Sequence, residues 1–345
     1  MTKRIFAILI AFTVLVSFAG CKKNTTTETV IIDDTSTIQG GESDMTSTEN
    51  PSSTPSQGND SSSTPVSSDE PVVSDPVDSN PPSGDTEPDT TIDIDYEWKS
   101  HPEDFKLIAF TFDDGPSSNM ARYVQLFSWY EGAGTFFVRG NSIKGTAQYN
   151  QMQNAINYGW SIGNHGDNHL VAAGLDGKPA TYDEIKADIN NLNAKLEGNL
   201  KNIDGTPYKV SFYRPPNIKP TADSFKICGE ENLAIIWLKY DALDWDTTKT
   251  YDARYRVFKN GIGTWKDGDV ILCHEVGVVG AEDTYKILEK LLPDFYKAGY
   301  RFCSISELME MRGITLDQIS GELKEVDGNR GMVTNILDAA ATGKK

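Results

Sequence analysis

The chain has 345 residues, 38% of them apolar and 24% charged, and a formal net charge of −18. The acidity is unevenly spread, because residues 24–98 hold 17 acidic side chains and no Lys or Arg, while residues 99–345 carry 28 basic against 33 acidic ones. The low pI therefore describes one segment, and without a long basic run elsewhere it excludes nucleic acid as a partner.

In chain order, Lys3 and Arg4 precede the apolar run Ile5 to Phe18 and a group of small residues before Cys21. The run is too short to span a membrane and ends at a cleavage-like site, so residues 1–20 are expected to be an export signal. Phe18-Ala19-Gly20-Cys21 resembles the lipobox of bacterial lipoproteins, with Phe18 where Leu is usual. That resemblance implies cleavage before Cys21 and a lipid on Cys21, against the plainer alternative of an ordinary secretory signal. Two or more acyl chains there would hold the protein at the extracytoplasmic face of a membrane.

Residues 21–98 follow as a Ser-, Thr-, Pro- and Asp-rich segment with few bulky apolar residues. It cannot bury enough surface to offset the entropy of ordering and is expected to be a disordered tether. Seventy-five flexible residues have an end-to-end distance of roughly 50 Å. Reach into a cell wall is its expected consequence.

Beyond Lys99 the texture changes. Strands are predicted near 107–112, 135–138, 160–163, 210–214, 234–239, 269–273 and 300–303. Helices are predicted over 118–131, 147–158, 182–198, 222–231, 251–260 and 281–298, the third opened by Thr181 and Glu184 at capping-box spacing. Strands alternating with helices argue a parallel sheet. Seven strands in about 210 residues suit one α/β barrel-like domain. The domain is set at 99–312 and a polar tail, with one short helix, at 313–345. Cys228, Cys273 and Cys303 are an odd set, allowing at most one disulfide, and Cys273 and Cys303 lie in apolar stretches where Cys packs as a small core residue.

The chemistry is concentrated at predicted strand ends. Asp113 and Asp114, in Thr111-Phe112-Asp113-Asp114-Gly115-Pro116, close the first strand. Two carboxylates that close resist ionising together unless a cation intervenes, although the same residues make a good solvated turn. His165 and His169, after the third strand, have i, i+4 spacing. With one carboxylate they form a two-His set with open positions, as in a catalytic zinc site. Arg214 opens Arg-Pro-Pro-Asn after the fourth strand, Asp241 and Asp244 follow the fifth in Asp-Ala-Leu-Asp-Trp, and His274 ends Val270-Ile271-Leu272-Cys273. The C-terminal ends of barrel strands are where such enzymes carry their sites. His101 lies before the first strand and is expected at the surface.

Taken in this order, Thr-Phe-Asp-Asp-Gly-Pro, His-x-x-x-His, Arg-Pro-Pro, Asp-x-x-Asp-Trp and Ile-Leu-x-His resemble the motifs of the polysaccharide deacetylases of carbohydrate esterase family four, over roughly residues 105–312. The resemblance implies a distorted (β/α) barrel with an incomplete strand set and metal-dependent removal of acetyl groups from N-acetylglucosamine polymers or from xylan. Carried over residue by residue, Asp114, His165 and His169 would hold Zn2+ or another divalent ion such as Co2+. Asp113 would be the general base and His274 the acid, with Arg214 orienting Asp113. Asp244 would favour the imidazolium of His274, with Asp241 as the competing choice. A backbone N–H near Asn217 would serve the oxyanion, and Trp245 and Leu272 would wall the acetyl methyl.

Three positions depart from the family pattern. Gly166 replaces a Ser or Thr that braces the metal loop, so a looser loop is expected. Asn217-Ile218 replace an aromatic and a Gly, and Glu275 stands where Asp is common. The leading expectation is a tethered deacetylase of an N-acetylated glycan, peptidoglycan first, with no protein partner. An acetylxylan-type O-deacetylase would use the same residues. A non-catalytic glycan-binding lipoprotein is the third reading, opposed by Asp113 beside Asp114 and by His274, since binding alone needs neither base nor acid.

Overall fold

The computed structural model describes residues 92–321 and 332–342. The export signal, Cys21 and the tether up to residue 91 lie outside the described residues. Among the described residues no helix is long and apolar enough to cross a membrane.

Eight strands run in the order of the chain: β1 (Lys106–Asp113), β2 (Thr135–Val138), β3 (Ser161–Asn164), β4 (Phe212–Tyr213), β5 (Ala234–Ile235), β6 (Tyr240–Asp241), β7 (Val270–His274) and β8 (Tyr300–Phe302). Every strand pairing is parallel, and the sheet order is β5-β4-β3-β2-β1-β7-β6. The strand β8 pairs with the first three residues of β1, and β7 with Ala109 to Asp113. The expected distorted (β/α) barrel is what the chain forms, and β1 is its centre.

Helices fill the crossovers: α1 (Asn119–Ser128), α2 (Thr146–Asn157), α3 (Tyr182–Asn199), α4 (Ala222–Glu230), α5 (Tyr251–Gly261) and α6 (Ala281–Lys297). The Thr181–Glu184 capping box forms at the start of α3, where each side chain satisfies a backbone N–H that the helix cannot. Alternation along β1 separates two cores. Ile108, Phe110 and Phe112 pack outward with Tyr123 and Phe127 of α1 and Phe295 of α6, whereas Leu107 and Ala109 face the barrel interior with Phe137, Phe212 and Ile236.

The predicted fifth strand over 234–239 divides. The carbonyls of Ile236 and Trp237 accept from Arg214 Nε (3.3 Å) and a terminal guanidinium nitrogen (2.8 Å), Ile236 keeps only an isolated bridge to Val333, and the next strand is β6. The C-terminal segment also differs from the expected polar tail. After α7 (Ile305–Met311), which lies within the expected domain, it supplies α8 (Leu316–Ile319) and α9 (Ile336–Thr342) where one short helix is expected, and a bridge from Val333 to Ile236. At the other end Trp98, placed in the expected tether, is buried, and Ile92 and Ile94 pack on the core. Cys228, Cys273 and Cys303 are free and buried, where burial pushes each thiol up.

Candidate active site

The carboxyl ends of β1, β3 and β7, with the loops after β4 and β5, enclose a cavity of about 710 Å³. Asp113 is the last residue of β1 and points inward, continuing the inner face that Leu107, Ala109 and Thr111 begin. Asp114 would point the opposite way on a regular strand. Its φ of 76° turns the chain, and both carboxylates line the cavity.

Arg214, fully buried, reaches Asp113 from across the barrel, one guanidinium nitrogen lying 2.7 Å from Asp113 Oδ1 and 2.7 Å from Thr111 Oγ1. Burial raises the Asp113 pKa, and the charges of Arg214 and His274 oppose it. The guanidinium also lies 4.3 Å over the Phe137 ring, a cation–π contact that helps hold the fork in place.

Asp114, His165 and His169 offer one ligand atom each within 4.8 Å of one another. Asp114 Oδ1 lies 3.5 Å from His169 Nε2 and 3.7 Å from His165 Nε2, and it is buried without a hydrogen-bond partner. Those separations are too long for hydrogen bonds and suit three atoms converging on one ion. The other nitrogen of His165, Nδ1, lies 2.7 Å from the Arg214 carbonyl oxygen. Donation to that oxygen fixes the tautomer and leaves Nε2 as the ligand, the usual support for a metal-bound His. Burial pushes His165 down to about 3, outweighing the Asp114 charge, and it lowers His169 as well. Both imidazoles are thus held neutral, the form that binds a cation. The set fits a divalent ion by geometry, orphaned oxygen and protonation state together.

His274 occupies the opposite wall. Its Nδ1 is 2.7 Å from Asp244 Oδ1, and its backbone N–H donates to Asp244 Oδ2 at 2.8 Å, to which Thr284 Oγ1 donates as well. Burial would lower the imidazole's pKa, but the Asp244 hydrogen bond and charge, with Asp113 and Asp114 adding to them, raise it to about 9. Asp241 is not its partner. That carboxylate accepts from Trp245 Nε1 (2.9 Å) and the Leu243 N–H (2.7 Å), so it fixes the exposed indole of Trp245 at the rim. Leu272 and Asn217 also line the cavity, and His101 sits outside it, near Asp95 and Asp104.

Sequence reasoning passed over several groups. Arg139, just beyond β2, brings Nε to 3.6 Å from Asp114 Oδ1. Trp237 and Lys219 line the cavity. Glu275, singled out in the sequence only as a departure, is buried, accepts from Ser117 N–H (2.7 Å) and Oγ (2.6 Å), and sits so close to Gly115 that a Cβ there would meet its Oε2 at 1.9 Å. The expected looseness at Gly166 is not found. Its φ is +82°, and a Cβ there would meet Asp188 Oδ2 at 2.4 Å, so the hydroxyl residue common in the family would be strained here and would displace that carboxylate. At the third departure, Asn217 and Ile218 both adopt positive φ, 53° and 56°, a costly conformation for a β-branched side chain and one that the usual Gly would adopt freely.

A base-type carboxylate, an acid-type imidazole and a three-ligand cluster around one cavity on a (β/α) barrel define a metal-assisted hydrolase. The family model for polysaccharide deacetylases matches residues 100–233, the first part of the folded region. Over 220 residues the chain is 29% identical to a peptidoglycan-N-acetylglucosamine deacetylase of Bacillus cereus, with 61% of this chain and 92% of that protein aligned. A bifunctional xylanase/deacetylase of Pseudobutyrivibrio xylanivorans is 27% identical, aligned over 61% of this chain and 31% of its own length. Among solved structures, a family 4 acetyl xylan esterase from Clostridium thermocellum in complex with a cobalt ion superposes with a TM-score of 0.53 at 24% identity, covering 67% of this chain and 99% of that one. At that identity the likeness bears on the fold.

Proposed function

We propose that this protein removes the N-acetyl groups of N-acetylglucosamine residues in a cell-wall glycan, peptidoglycan first, and releases acetate. The observation that carries the reading is the opposition of two paired proton carriers, Asp113 with Arg214 and His274 with Asp244, across the cavity that Asp114, His165 and His169 also line. A divalent ion held by those three residues, Zn2+ by preference and Co2+ as an alternative, would supply Lewis-acid polarisation and a more acidic water.

Asp113 Oδ2 is the free oxygen of the base, since Oδ1 is held by Arg214. It takes a proton from water as the water oxygen bonds to the acetyl carbonyl carbon. The Asn217 N–H is assigned to the oxyanion, a role worth roughly 3–4 kcal/mol per donor. With Nδ1 committed to Asp244, His274 presents Nε2 to the departing nitrogen. It gives its proton as the C–N bond breaks, leaving a free amine and acetate. Leu272 and the Trp245 indole are assigned to the wall around the methyl group.

Outside the described residues, cleavage before Cys21, lipidation of Cys21 and the 21–98 segment would tether the domain 99–312 at the extracytoplasmic face of a membrane. The glycan substrate and the membrane would then be its partners. The name of the xylanase/deacetylase relative favours one second reading, O-deacetylation of xylan by the same residues.

Acetate release from N-acetylglucosamine oligomers, peptidoglycan and acetylated xylan, measured in parallel with zinc-loaded protein, separates these readings. Release from the amide substrates that a chelator and Asp113→Asn both abolish is expected. Release from xylan alone would transfer the assignment to the ester. No release from any of them by folded, loaded protein would point to a binding module.

A further inference from the structure

His169 has a φ of +58°, in the left-handed region that few non-glycine residues adopt, although His enters it more readily than most. The backbone on either side of it is held from one helix. Asp188 of α3, itself buried, accepts the Asn168 N–H on Oδ1 (2.7 Å) and the Leu170 N–H on Oδ2 (3.3 Å), so one carboxylate grips the backbone on both sides of His169. The carbonyl oxygen of Asp188 accepts the Asp167 N–H at 3.0 Å.

The other end of the loop is tied to the same helix. The Gly166 N–H donates to Asn164 Oδ1 (2.7 Å), while Asn164 Nδ2 donates to the Ile189 carbonyl (2.8 Å) and Asn193 Oδ1 (2.7 Å). Gly166 completes the arrangement by leaving room, since any Cβ would press on Asp188 Oδ2 at 2.4 Å.

We propose that Asp188 is a positioning residue of the metal centre, clamping the His165–His169 loop so that the His169 imidazole faces Asp114, and that Gly166 is required because this carboxylate occupies the space of a residue-166 side chain. The inference rests on the reading of Asp114, His165 and His169 as metal ligands. It replaces a brace made within the loop by one made from α3, and it therefore couples two positions that are 22 residues apart in sequence. A carboxylate that touches no ion directly still sets affinity when it orients a ligand, an effect of roughly 10–100-fold in comparable supports.

The test is zinc affinity by titration calorimetry, with the visible spectrum of the cobalt-loaded protein as a second readout of ligand geometry. Asp188→Ala is expected to weaken zinc binding by roughly 10–100-fold. Asp188→Asn keeps the volume and one acceptor, and should weaken binding less while altering the cobalt spectrum. Gly166→Ser should weaken it too, with an effect smaller in the Asp188→Ala background than alone. Thr181→Ala, which removes the α3 cap without touching the loop, should leave affinity unchanged. Parent-like zinc affinity and cobalt spectra in both Asp188 variants would overturn the clamp and leave the metal centre standing. Absence of zinc binding by the parent protein would overturn both.

Discussion

At the scale of single residues, the site is built on two buried ion pairs whose members cannot be exchanged freely. Arg214 serves Asp113, Thr111 and two backbone carbonyls at once, and it is completely buried. Removing one partner of a buried pair leaves the other charge uncompensated, which costs about 3–5 kcal/mol. Arg214→Ala should lose that much stability in denaturant unfolding, along with acetate release. Arg214→Lys should recover little activity, because an ammonium cannot reproduce the planar fork. His274 gives a prediction in pH. Its pKa is raised to about 9, so the protonated acid is present throughout neutral pH and is lost as pH rises through 9. The rate of acetate release should fall on that limb. Asp244→Asn removes the charge that opposes burial, so the alkaline fall should move to lower pH by about 1–3 units in a pH–rate profile.

At the scale of elements, β1 carries the division of labour, with an outer face that stabilises and an inner face that ends in chemistry. Phe110 on the outer face meets five rings, Phe127, Phe258, Trp265, Phe295 and Phe302, with centroids 5.6 to 6.3 Å away. Phe110→Ala should cost about 3–5 kcal/mol in urea unfolding, yet leave KM near the parent value while the protein stays folded. Much of this was legible from sequence. Alternation marked seven strands, and the Thr181–Glu184 spacing fixed the start of α3. Motif order brought Asp113, Asp114, His165, His169, Arg214 and His274 to one cavity. The Ser304–Glu307 capping box that opens α7 has the same spacing and was equally readable. What stayed hidden depends on distance in three dimensions. A two-residue strand such as β6 has no periodicity to detect, and neither the hold of Asp241 on the Trp245 indole nor the pressure of Asp188 on Gly166 has a local signature.

At the scale of the whole molecule, the barrel is closed by a segment that composition presents as a polar tail. Val333 donates to the Ile235 carbonyl (2.8 Å) and accepts from the Trp237 N–H (2.8 Å), and the Thr334 carbonyl accepts from the Val270 N–H (3.1 Å). One short stretch thus bridges from the open edge at β5 to the start of β7. Val333 and Ile336 are fully buried against the inner core, beside Ile236. Burying a Val or Ile side chain stabilises by roughly 1.5–3 kcal/mol, so ending the chain at residue 331 should cost about 3–6 kcal/mol before any backbone term. The loss should reach the chemistry as well. Trp237 donates its N–H to Val333 and lends its carbonyl to Arg214, so freeing the first bond loosens the hold on the arginine that orients Asp113. A truncated protein assayed well below its unfolding midpoint should therefore show a lower kcat than the parent, with KM less affected. Parent-like stability and kcat in that protein would mean that β5 and β7 keep Arg214 in place without the closing segment.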